Sequence, residues 1–91
     1  MATSNEISVM VQEEVERLRR HLRKHVEEAG DDLGGWARKA GLRKNRLSAL
    51  LTETGAFPRY TELLAILAAL GIPRGRFFAE VYGLEAEDPG R

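Results

Sequence analysis

A chain of 91 residues, 43% of them apolar, has material for one small domain with a modest core. It contains no cysteine, which excludes a disulfide framework, a thiolate metal site and a cysteine nucleophile, and makes the reducing cytoplasm the expected location. Its formal charge is zero, 14 basic residues against 14 acidic, so the chain as a whole lacks the cationic excess that phosphate binding favours.

The distribution of charge is uneven. Residues 1–32 carry five basic and eight acidic side chains, residues 33–61 six and one, and residues 62–91 three and five. The positive charge is gathered in the middle third, as a solvated face or as a site for an anionic partner. The longest apolar run, Leu63 to Leu70, is far below the roughly 20 residues of a membrane span. The opening MATSNEIS lacks the basic-then-apolar order of a signal peptide, so no membrane association is expected.

Glycine and proline divide the chain, and no stretch alternates apolar and polar residues for long, which predicts an all-α protein of five helices. Thr3-Ser4-Asn5-Glu6 offers a capping box. The following apolar residues, Ile7, Val11, Val15, Leu18, Leu22, Val26 and Ala29, form one helical stripe that ends at Gly30. Asp31 or Asp32 caps a second helix running to about Ala40, with Leu33, Trp36, Ala37 and Ala40 inward to offset the poor helix propensity of Gly34 and Gly35. Gly41 closes that helix, and a third begins at Arg43 or Lys44 and continues through Leu47, Leu50 and Leu51. After the loop Thr54 to Pro58, Tyr60, Leu63, Leu64, Ile66, Leu67 and Leu70 predict a core helix stopped by Gly71. Pro73 then enters a last helix with Phe77, Phe78, Val81 and Tyr82. The predicted parts are an N-terminal helix extension, 1–17, a domain, 18–83, and a flexible tail, 84–91.

Enzyme chemistry finds no support in these residues. There is no triad candidate or paired-carboxylate site, and GDDLGG lacks the lysine of a phosphate-binding loop and the strand before it. His21 and His25 are spaced to share a metal on one helix face, but HLRKH has no third ligand, so neither metal nor cofactor is expected. Trp36 reads as core packing, and Phe77 and Phe78 as core, or as core with a dimer contact.

Two short helices joined through a glycine turn, DLGGWARKAGLRKNRLSALL, leave the second exposed on a convex edge. At this stretch residues 18 to 82 resemble the lambda-repressor-like, or Xre-type, helix-turn-helix family. Trp36-Ala37-Arg38-Lys39-Ala40-Gly41-Leu42 stands where the family writes Leu-Ala-x-x-Ala-Gly-Val. Leu47 and Leu50 match its recognition-helix apolar positions, Pro58 its post-loop proline, and Leu63 to Pro73 its fourth helix. Phe77-Phe78 stands where the family often ends in a Leu-Phe pair. Asp32-Leu33 departs from the Ser-Gln that commonly opens the second helix, and the loop before Pro58 is one residue longer.

The resemblance implies a transcription regulator, expected to be a repressor, that binds double-stranded DNA with the helix around 43–52 in the major groove. By position, Arg43, Lys44, Asn45, Ser48 and Ala49 are the expected base contacts. Arginine and lysine suit guanine O6 and N7, and asparagine suits adenine N6 and N7. The alternative for Lys44 and Asn45 is a merely solvated helix start. The expected phosphate contacts are Gly34, through its backbone, and Arg38, Lys39, Arg46 and Arg59. Ile7, Met10, Val11 and Val15 need a covering surface, and with Phe78 and Tyr82 they are candidate contacts of a homodimer on a palindromic site or of another protein. The alternative function is an interaction module, such as an antitoxin or a phage or plasmid accessory factor, that holds a partner protein through the long first helix.

Overall fold

The computed structural model describes residues 3–30 and 32–83. They form five α-helices, α1 (Ser4–Glu28), α2 (Leu33–Ala40), α3 (Lys44–Thr52), α4 (Tyr60–Leu70) and α5 (Arg74–Tyr82), with no strand among the described residues. The protein is therefore all-helical. The flexible tail expected at 84–91, and Asp31 as a cap, lie outside the described residues.

Local codes place the helix ends. Thr3 accepts from the Glu6 amide at 3.1 Å, and Glu6 accepts from the Thr3 amide at 2.9 Å, the reciprocal capping box read from the sequence. Asp32 caps α2 through the Gly35 amide at 2.9 Å. At Gly41 the backbone turns left-handed (φ 73°), which a side chain would strain. The Leu42 amide then reaches Ala37 O at 2.8 Å and the Gly41 amide Arg38 O at 3.1 Å. Only Gly41, Leu42 and Arg43 separate α2 from α3.

The two glycines of α2 differ. A Cβ on Gly35 would collide with the Asp32 carboxylate that caps the helix, whereas a Cβ on Gly34 would meet only Asp32 Oδ1 at 3.8 Å and Lys44 Cδ at 4.0 Å. Gly34→Ala is accordingly expected to raise stability by about 0.5–1 kcal/mol through helix propensity. In Gly35→Ala the lost cap, worth about 1 kcal/mol, cancels that gain. Paired chemical denaturation curves check this, and equal midpoints for the two variants would refute it.

The core is Leu22 and Val26 of α1, Ala37 of α2, Leu47, Leu50 and Leu51 of α3, Leu63, Ile66 and Leu67 of α4, and Phe77 and Val81 of α5. α2 packs on α4 and α3, α1 on α3, and α5 on α1. Trp36 and Phe78 are half-buried against this core, while Tyr60, read as part of the apolar face of α4, is exposed. It opens α4 at the first helical position, before the helix reaches the core.

One core-level residue was hidden by its charge. Arg19 is 5% exposed; its Nη1 donates to Leu50 O at 2.9 Å and Ala56 O at 3.0 Å, and its Nε and Nη2 donate to Glu16 at 2.9 and 2.8 Å. The guanidinium thus places a cation at the C-terminal end of α3 and ties α1 to that end and to the loop beyond it.

Candidate nucleic-acid interface

The first turn of α3 is open to solvent. Arg43, Lys44 and Asn45 are exposed, and one turn later Ser48 and Ala49 are half-buried on the side away from Leu47, Leu50 and Leu51. Lys44 lies beside Gly34, so the start of α3 adjoins the N-terminal turn of α2. Arg38, one turn after Gly34, is exposed as well.

The start of α4 is drawn to the same region by an ion pair. Arg46 donates to both Glu62 oxygens, each at 2.9 Å, and to Phe57 O at 3.2 Å, while Glu62 also accepts from the Arg59 amide at 2.8 Å. Arg46, expected on phosphate, is therefore engaged inside the chain. Arg59 is left exposed at the N-terminal cap of α4. Lys39 is exposed next to Arg38, with its ammonium 4.9 Å from the Trp36 ring centre, and Trp36 Nε1 donates to Gly30 O at 3.3 Å. The structure thus brings Gly34 and Lys44 together, links Arg46 to Arg59 through Glu62, and turns Lys39 toward Trp36.

Sequence reasoning did not anticipate Glu62. The hydrogen bonds from Arg46, first, and then from the Arg59 amide hold its carboxyl down from its ordinary 4.5 to about 2. A depressed carboxyl contributes stability that is complete above 4.5 and is lost as the pH falls toward 2. Glu62→Gln is expected to cost about 1–2 kcal/mol at neutral pH and to flatten the loss of stability in that acid window. Denaturation midpoints at pH 6, 4 and 3 test it, and an unchanged acid slope would refute it.

His21 Nδ1 lies 2.6 Å from Glu80 Oε2, and His25 Nε2 lies 2.9 Å from Glu80 Oε1. These bonds, from His21 above all, hold the Glu80 carboxyl below its usual range. The two histidines spaced like metal ligands serve here to fasten α1 to α5. Among the described residues no group of three or more side chains could hold a metal ion.

Of the candidate partner contacts, Ile7, Met10 and Val11 are exposed and Val15 is half-buried. Phe78 is half-buried and stacks on exposed Tyr82, ring centres 6.3 Å apart. Phe57 is exposed beside Ile7 and Val11, with which it lines a shallow hollow. Among the described residues no helix is long and apolar enough to cross a membrane.

Comparison of the chain with protein-family models, with curated proteins and with solved structures finds no match.

Proposed function

We propose that the protein is a sequence-specific regulator of transcription in the cytoplasm, in which α2 and α3 are a lambda-repressor-like helix-turn-helix and α3 enters the major groove of double-stranded DNA as part of a homodimer. The observation that carries this reading is the first turn of α3. Lys44 and Asn45 stand free on it beside Arg43 at the N-cap, while Leu47, Leu50 and Leu51 bury the rest of the helix in the core and Arg46 is locked to Glu62. A rigid helix that offers two cations and an asparagine has the donors that guanine and adenine edges accept. In this reading Gly34, beside Lys44, and the exposed Arg38 and Arg59 contact phosphates, and Ser48 and Ala49 meet base edges one turn further on.

Selection of bound sequences from a random duplex pool, at low and at moderate salt, tests the reading. Enrichment of a palindrome is expected. Failure to enrich any sequence at either salt would overturn it. The second reading, an interaction module that holds another protein, is favoured by one observation: Ile7, Val9, Met10 and Val11 are exposed within five residues of α1.

A further inference from the structure

The exposed side of α1 carries an ordered charge pattern that neither the core nor the DNA reading uses. Glu6, Met10, Glu13, Arg17, Arg20 and Lys24 are all exposed, and their spacings of four, three, four, three and four place them in one stripe along the helix. Among the described residues none of the five charged members forms an ion pair. Residues 3–16 contain four glutamates and no basic residue, while residues 17–24 contain five basic residues and no acidic one.

The arm also carries four exposed apolar residues, of which Met10 lies in this stripe. Ile7, Val9, Met10 and Val11 are 46, 47, 54 and 43% exposed, and they point in different directions around the helix. Met10 belongs to the charged stripe, while Ile7 and Val11 lie on the opposite side of the helix, continuing the side that Leu22 and Val26 bury in the core. Phe57 flanks Ile7 and Val11 on one side, and Val9 and Met10 remain uncovered on the other.

We propose that two copies of the chain pack their α1 helices antiparallel along this stripe. In the matching register, Glu6 meets the second copy's Lys24, Met10 meets its Arg20, and Glu13 meets its Arg17. The symmetry axis passes between Glu13 and Arg17, so each pairing occurs twice. A parallel pair would set glutamate on glutamate and arginine on arginine, so charge selects the antiparallel arrangement. The methylenes of Arg20 cover Met10, which supplies apolar contact where the charges supply orientation. The proposal rests on the reading that copies meet through α1, and it does not depend on DNA binding.

Because the chain has no cysteine, single thiols report the register directly. In this register Met10 is opposite Arg20, whereas the two Met10 positions are about 15 Å apart along the axis, well beyond disulfide reach. Under mild oxidation Met10→Cys alone and Arg20→Cys alone should stay monomeric on non-reducing gels, and an equal mixture should crosslink. Glu13→Arg should weaken self-association about tenfold or more in sedimentation equilibrium, and Glu13→Arg with Arg17→Glu should restore it. Circular dichroism confirms that each variant is folded.

Crosslinking of Met10→Cys with itself, or a monomeric wild-type chain at high micromolar concentration, would overturn the proposal. So would a double variant that self-associates no better than Glu13→Arg. A wild-type dimer that selects no DNA sequence would refute the DNA reading and leave the pairing intact.

Discussion

Replacing Lys44 and Asn45 together with alanine is expected to weaken binding to the selected DNA sequence by about 30-fold or more, because each good base contact contributes about 1–3 kcal/mol of discrimination. Binding to unrelated duplex should change far less. Both side chains are exposed on the first turn of α3 and neither donates or accepts a side-chain bond within the described residues, so the fold should be untouched. Arg59→Ala provides the contrast. It removes a cation at the N-terminus of α4 and should weaken all sequences alike, lowering the salt slope by about one. Titrations of specific and unrelated duplexes at several salt concentrations separate the two behaviours. If both variants weaken all sequences equally, α3 does not read bases.

Arg19→Met is expected to destabilise the protein strongly for a substitution that keeps the length of the side chain. It keeps the long aliphatic stem but strands the carbonyls of Leu50 and Ala56, which are 31 and 37 residues away in the chain and share one guanidinium nitrogen. An unpaired buried acceptor costs about 1–3 kcal/mol, and the part-buried Ala56 carbonyl and the lost Glu16 pair add to the cost of the buried Leu50 carbonyl, so a loss of about 2–4 kcal/mol is expected. For a chain of this size that corresponds to a fall in Tm of about 10–20 °C. Arg19→Lys should recover only part of it, since an ammonium cannot serve both carbonyls and Glu16 with the same fork. Thermal melts by circular dichroism test the ranking, and a fall below about 3 °C for Arg19→Met would refute the clamp. Because the clamp holds the end of α3 and the loop beyond it, amide exchange should accelerate there first.

The helices themselves were legible in the amino-acid order because their ends are written in short-range chemistry. Thr3 with Glu6, Asp32 with Gly35, and the left-handed glycines at 41 and 71 act over three to five residues, so the sequence alone settles where a helix starts and stops. The apolar faces that became the core were legible for the same reason, since period alone assigns Leu22, Val26, Leu47, Leu50, Leu63 and Phe77 to one side of their helices. The charged residues were not. Whether an arginine is a surface cation, a clamp or half of an ion pair depends on what packing sets beside it. Arg46 finds Glu62 at a separation of 16 residues, Arg19 finds Leu50 at 31, and His21 finds Glu80 at 59. Composition presented these as interchangeable solvated charges. Only the tertiary structure buried Arg19, paired Arg46 with Glu62, set Lys39 over Trp36, and left Lys44, Asn45 and Arg59 free, because a charge leaves water only where partners converge to replace its hydration, as they do around Arg19.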